Sequence, residues 1–439
     1  MVSMIASRIN PTRQLLRKRN FSVTLKRQEI RDIDSLPPRL IPSYQESNEN
    51  DLLSLQWPAP PRNVFVVKKD CAPEVTKSLV EFINHTVSTY PSISIILEPK
   101  VAEEVHASLS FPVYTKHLDR LPCALHKKVD LNVTLGGDGT ILHASSLFAT
   151  CVNVPPMLSF SMGTLGFLGE WKFSEYKRAF REVYMSGAGV GDRASVLGPP
   201  HSTNTGERLE GITGWSSARG KCLGLNRGAR ILMRNRLKVA LFTADGHPVQ
   251  ADKCSNPSKG IGVDGLYVMN EILLHRGKEP HLAILDVYVG GRFLTEAVAD
   301  GIIISTPTGS TAYSLSSGGS IVHPLVPAVL LTPICARSLS FRPLVLPAST
   351  PITLRLSEKN RGRELEVSID GINMTQGMTA GMEARVWNEE MRHGENEWQG
   401  GVPCVMRRIM GSERQDGEAH DGWVGGLNGL LKFNYPFGE

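Results

Sequence analysis

None of the seven cysteines forms a CxxC pair, and their odd number and wide spacing argue against a zinc cluster and a disulfide framework. A reducing interior compartment fits that pattern best. No apolar run approaches the roughly 18 residues of a spanning helix, so stable membrane insertion is not expected. HExxH and GxSxG are both missing, which leaves zinc-enzyme and hydrolase readings weak. The most prominent glycine turn fits neither GxGxxG nor GxxxxGK(S/T), so it is a poor match to a standard dinucleotide fingerprint or a Walker A loop.

Acidic residues are missing from the start. Residues 1 to 28 hold Arg8, Arg13, Arg17, Lys18, Arg19, Lys26 and Arg27 but no Asp or Glu. Ile5, Ile9, Leu15 and Leu16 supply an apolar stripe, and there is no secretory h-region. The segment reads as a mitochondrial transit peptide, which predicts a matrix protein; a disordered basic tail is the alternative. Cleavage after Phe21, in Arg19-Asn20-Phe21-Ser22, would remove five basic residues from a chain of formal charge +5 and leave no net charge. Nucleic acid, which calls for a basic surface, is therefore not an expected partner. The composition, 41% hydrophobic and 21% charged over 439 residues, suits a globular protein of two domains with sizeable cores.

The stretch with most chemistry is Val129 to Phe148. Val129, Leu131, Val133 and Leu135 alternate with polar residues as in a strand, and the chain then turns through Gly136, Gly137, Asp138, Gly139 and Thr140 into a helix. A strand, a glycine turn and a helix start can converge backbone N–H groups on phosphate oxygens. The glycines permit close approach and positive φ where needed. A carboxylate in such a turn would repel phosphate unless it binds a cation, holds a hydroxyl or takes a proton. A tight connection with a capping Asp is the plain alternative.

The rest of the chain divides around this unit. Residues 22 to 59 are polar and proline-rich and read as a flexible linker. Residues 60 to 190 alternate strands and helices, which predicts an α/β domain with a Rossmann-like open sheet and ligands beyond the strands' carboxyl ends. Residues 191 to 387, with a polar insertion at about 199 to 228, give short strands of an antiparallel β-sandwich. Residues 388 to 422 read as an exposed excursion. Residues 423 to 439 read as a helix and tail, the helix returning to the first domain.

Two further clusters stand out in the second half. Asp300 to Ser314 reads DGIIISTPTGSTAYS, a strand followed by hydroxyl and glycine positions suited to ribose, amide or phosphate contacts, or only to a Ser/Thr turn. Asn270-Glu271 interrupts an apolar strand and needs a partner or a purpose. Asp370-Gly371 reads as a turn. Arg234 and Arg236 either hold phosphate or face solvent.

LGGDGT (Leu135 to Thr140), SMGTLGFLG (Ser161 to Gly169), Asn270-Glu271 and the Asp300 to Ser314 block together resemble the NAD kinase family. The resemblance covers about residues 60 to 387 and the final helix. It implies an α/β domain followed by a β-sandwich, with the site in the cleft. It also implies transfer of the ATP γ-phosphoryl, with Mg²⁺ or another divalent cation, to the adenosine-ribose 2′-hydroxyl of NADH or NAD⁺. Asp138 is then the general base. Gly136, Gly137, Gly139 and Thr140 shape the phosphate-facing turn, and Phe167, Asn270 and Glu271 contact the dinucleotide. Asp300 meets the nicotinamide carboxamide, and Thr311, Ala312, Tyr313 and Ser314 bind adenine and ribose. The resemblance assigns no metal ligand and implies a dimer or tetramer. The rival readings are a lipid kinase sharing the glycine turn, or a dinucleotide-binding protein without catalysis.

Overall fold

The computed structural model describes residues 29–47, 50–117, 120–163, 166–188, 228–249, 265–393 and 398–407, together with positions 427 and 431. The transit-like segment, most of the insertion at 199 to 228 and nearly all of the closing helix lie outside these residues.

Among the described residues, the first domain is built on eleven strands. They are β1 (Ile30–Asp32), β2 (Ser43–Ser47), β3 (Asn50–Gln56), β4 (Asn63–Lys68), β5 (Ser94–Leu97), β6 (Val113–Thr115), β7 (Leu131–Leu135), β8 (Met157–Ser161), β9 (Trp171–Lys172), β10 (Arg230–Arg234) and β25 (Val402–Met406). The order is β1-β6-β5-β4-β7-β8-β25-β10-β3-β2, with β9 paired to β8. Strands β4, β5, β7 and β8 are parallel, as crossover connections through helices require. Alternate residues of β4 feed opposite cores, Val64 and Val66 one, Phe65 and Val67 the other, which explains its unbroken apolar run. Helix α1 (Pro73–Thr89) starts on a proline and buries Val75, Leu79, Phe82 and Ile83 at helical spacing. It shares the first of these cores with α5 (Tyr176–Tyr184). Helices α3 (Leu121–Lys128) and α4 (Asp138–Ser146) supply the second.

Among the described residues, the second domain is an antiparallel sandwich of two six-stranded sheets. One contains β11 (Leu237–Phe242), β12 (Leu266–Val268), β14 (Ala283–Val289), β15 (Arg292–Ala299), β19 (Ile352–Leu356) and β22 (Glu383–Asn388). The other contains β13 (Glu271–His275), β16 (Gly301–Ser305), β17 (Ala328–Ile334), β18 (Leu344–Pro347), β20 (Glu366–Ile369) and β21 (Ile372–Asn373). Leu285, Val287 and Leu354 face Ile272, Ile302, Ile304 and Leu331 in one core. Gly290 and Gly291, with φ of 58° and 75°, make the hairpin turn that only glycines adopt freely.

Three boundary expectations change. The linker of 22 to 59 includes β1, β2 and β3, and Ile33, Leu55 and Trp57 are buried because these short strands complete both edges of the first sheet. The excursion of 388 to 422 includes β25, which runs between β8 and β10 with all five residues buried. That strand returns the chain to the first sheet. Finally, β10 belongs to the first sheet, so the chain passes between domains at Asn235-Arg236, just before β11.

Candidate active site

The glycine turn links β7 to α4 at the carboxyl end of the parallel strands. Gly136 is required by crowding, not by its dihedral angles: a Cβ there would lie 2.1 Å from Thr140 Oγ1. Gly137 is extended, with φ −101° and ψ −168°, and caps α4. A Cβ on Gly137 or Gly139 would meet nothing within 4 Å, so both border open space. That space is a cleft of about 370 Å³ lined by Lys68, Lys69, Asp70, Gly137, Gly139, Thr140 and His143. Buried Lys68 pairs with Glu104 at 3.1 Å. His143 Nε2 lies 2.9 Å from Glu98, and this hydrogen bond holds the imidazole's pKa above its ordinary value. Sequence reasoning passed over Lys68 and Lys69, which end the apolar VFVV strand.

Asp138 opens α4 and points at the backbone of Phe167 and Leu168. Its carboxylate accepts from the Phe167 N–H at 3.0 Å and from the Leu168 N–H at 3.1 Å, one on each oxygen. Gly166 allows this approach, since a Cβ there would lie 2.1 Å from Asp138 Oδ1.

In the sandwich, Asp370 is more than a turn. With φ of 47°, its carboxylate accepts from the N–H groups of Met269 (2.9 Å), Asn270 (2.6 Å) and Glu271 (3.2 Å). Burial nonetheless raises its pKa to about 6 against those three bonds. Burial, then the nearby Asp370 charge, pushes Glu271 up to about 8. Asn270 Oδ1 and Glu271 Oε2 are buried without partners, as expected of groups awaiting a ligand. The Thr306 N–H donates to the Asn270 carbonyl at 2.9 Å, and Thr306 Oγ1 accepts from the Gly309 N–H at 3.0 Å. The hydroxyl-rich loop is thereby locked to Asn270.

One side chain joins the two halves. Arg234, 2% exposed, donates from Nη2 to the Phe167 carbonyl at 3.4 Å and from Nη1 to Thr308 Oγ1 at 3.3 Å. Asp138, Phe167, Thr308 and Asn270 therefore form one contiguous group. Thr311 bonds back to the Thr308 carbonyl at 3.2 Å, and Ala312 and exposed Tyr313 follow. Two predicted residues fall outside. Ser314, at the second position of α6 (Tyr313–Ser316), is fully buried with its hydroxyl 2.9 Å from that of Thr332, so it braces the loop from within. Asp300 precedes β16, roughly 20 Å along the strand from Thr306, and pairs with Arg276 at 2.6 Å. Arg236 faces neither solvent nor the cleft: it is buried and committed to Glu389. Among the described residues no cluster of three or more His, Cys, Asp or Glu could hold a metal.

A phosphate-facing turn and an aimed carboxylate, tied to a hydroxyl-rich loop in a second domain, define a two-domain nucleotide phosphotransferase. Residues 64–188 match the ATP-NAD kinase N-terminal domain and residues 269–390 the ATP-NAD kinase C-terminal domain. The chain belongs to the NAD kinase family. It is 38% identical to the mitochondrial NADH kinase of Schizosaccharomyces pombe, over 93% of this chain and 86% of that protein. It is 36% identical to the mitochondrial NADH kinase of Saccharomyces cerevisiae, over 93% and 89% respectively. The crystal structure of yeast NADH kinase complexed with NADH superposes with a TM-score of 0.71 at 35% identity, covering 93% of this chain and 98% of that one. The likeness runs through both domains, well beyond the glycine turn that a lipid kinase would share.

Proposed function

We propose that this chain transfers the γ-phosphoryl group of ATP to the adenosine-ribose 2′-hydroxyl of NADH or NAD⁺, giving NADPH or NADP⁺. The arrangement of Asp138 carries the reading. Its carboxylate is fixed by two backbone N–H groups and keeps lone pairs free to orient the ribose hydroxyl and accept its proton. As that O–H bond breaks, the ribose oxygen forms its bond to the γ-phosphorus and ADP departs. The substrate is the MgATP complex, whose cation neutralises charge on the transferring group. Lys69, His143 and the N–H groups at the start of α4 line the cleft that suits its phosphates. Asn270, Glu271, Thr311, Ala312 and Tyr313 receive the dinucleotide.

Two mitochondrial relatives and the acid-free first 28 residues support residence in the mitochondrial matrix. Exposed Phe293, Leu294 and Val345 on the sandwich support assembly as a dimer or tetramer. The domain division we propose is 60–188 with β1 to β3, β10 and β25 for the first domain, and 237–388 for the second.

The test is a coupled NADP(H) assay with ATP and Mg²⁺, beside calorimetric dinucleotide binding. Asp138→Asn should bind within about threefold of the native protein while kcat falls about 100-fold or more. Near-normal turnover by this variant would remove Asp138 from the mechanism.

A further inference from the structure

Two buried arginines stand two residues apart where the chain passes between domains, and they are treated very differently. Arg236 is saturated: both Glu389 oxygens accept from it, at 2.9 Å and 2.5 Å, and the Cys151 and Val152 carbonyls accept at 3.0 Å. Its guanidinium also stacks 4.2 Å over the Tyr267 ring. Among the described residues, Arg234 has no carboxylate partner. Its two terminal nitrogens reach a carbonyl and a hydroxyl, at 3.4 Å and 3.3 Å, and its Nε is buried without a partner. A neutral sulfur is its third contact: the guanidinium also hydrogen-bonds the Cys404 side chain of β25. A permanent charge buried on such thin terms costs stability, so packing alone is a poor reason for it. Its two oxygen acceptors belong to the loop that grips Asp138 and to the hydroxyl-rich loop locked to Asn270.

We infer that Arg234 is a positioning residue for phosphoryl transfer: it fastens the Phe167-Leu168 loop, and through it the Asp138 carboxylate, to the Thr308 loop that faces the ribose. The inference rests on the proposed role of Asp138. A planar guanidinium presents its donors at fixed angles to two acceptors, whereas an ammonium is a compact point charge whose donors rotate freely. The base and the ribose hydroxyl are thereby set by one rigid connection, and small misplacements of such groups cost rate.

The test uses Arg234→Met, Arg234→Lys and Thr308→Val in the full chain. With NADH and MgATP, Arg234→Met should lower kcat about tenfold to 100-fold while the dinucleotide KM stays within about threefold. Arg234→Lys should recover only part of that loss. Thr308→Val, which removes one end of the connection and leaves the charge in place, should lower kcat in the same sense. In an Asp138→Asn background, Arg234→Met should cost less than about twofold more, because its effect runs through the carboxylate. Unchanged kcat in Arg234→Met, or an equal loss in both backgrounds, would overturn the inference. If Arg234→Met does not fold, unchanged kcat in Thr308→Val would do the same. Failure of the native chain to form NADP(H) would sink the proposed function instead.

Discussion

Glu271 is buried beside Asp370, and it holds its proton far above the ordinary carboxylate range, to about 8 from 4.5. Between those values the folded chain binds more protons than the unfolded chain, so its stability falls as pH rises. Asp370, raised from 3.8 to about 6, acts in the same direction over a lower window. At about 1.4 kcal/mol per unit, the fall from pH 5 to 8 should amount to a few kcal/mol. Glu271→Gln, which imitates the protonated form, should flatten most of that slope in urea unfolding followed across pH and still bind dinucleotide. A variant that keeps the full native slope would show that the proton sits elsewhere. Asn270-Glu271 was legible as an anomaly because polar residues break an apolar run. Asp370 was not, since its three contacts lie about 100 positions away in the chain, as Asn270 does at a separation of 100. Asp-Gly reads as a turn whether or not the carboxylate grips a distant backbone.

Among the elements, the passage from β10 to β11 has most to hold together. Arg236 and Glu389, 1% and 3% exposed at their side chains, join the start of the sandwich to the segment after β22, while Arg236 also binds the loop after α4. Glu389 in turn accepts from the Gly401 N–H at 2.8 Å, just before β25. Removing one partner strands the other charge in the interior, so Arg236→Met should destabilise the protein by about 3–5 kcal/mol in urea unfolding. Arg236→Met with Glu389→Leu should recover much of the loss, and a double variant no better than the single one would contradict this. The sequence showed Arg234 and Arg236 as equivalent neighbours; only the fold separates the saturated one from the other. β25 escaped sequence reading for a related reason. VPCVM is five residues long, contains a proline and follows a charged stretch, so its place between β8 and β10 rests on pairing partners more than 160 residues away. Where the local residue pattern is strong, as in β4, α1 and the β7–α4 unit, pattern and structure agree.

For the molecule as a whole, the open question of function is the redox state of the acceptor, and the layout of the site says where the answer should appear. Asp138, the Thr308 loop and Asn270 form one group, and in the proposed reaction all serve the adenosine half, which NADH and NAD⁺ share. The two differ in charge and ring planarity only at nicotinamide. The atoms that react are therefore the same in both, and so is their alignment by Asp138. A preference arising at nicotinamide acts equally on the bound ground state and the transition state, and uniform binding of that kind changes KM while leaving kcat in place. Two relatives aligned over 93% of this chain are fungal NADH kinases. We expect kcat/KM for NADH to exceed that for NAD⁺ by about tenfold, with kcat values within about threefold of each other. Steady-state kinetics on residues 22–439 with saturating MgATP measures both. A preference carried by kcat would mean that the nicotinamide pocket reaches the Asp138 group through the protein, and equal use of NAD⁺ would make this a general NAD kinase that leaves reduction to another enzyme.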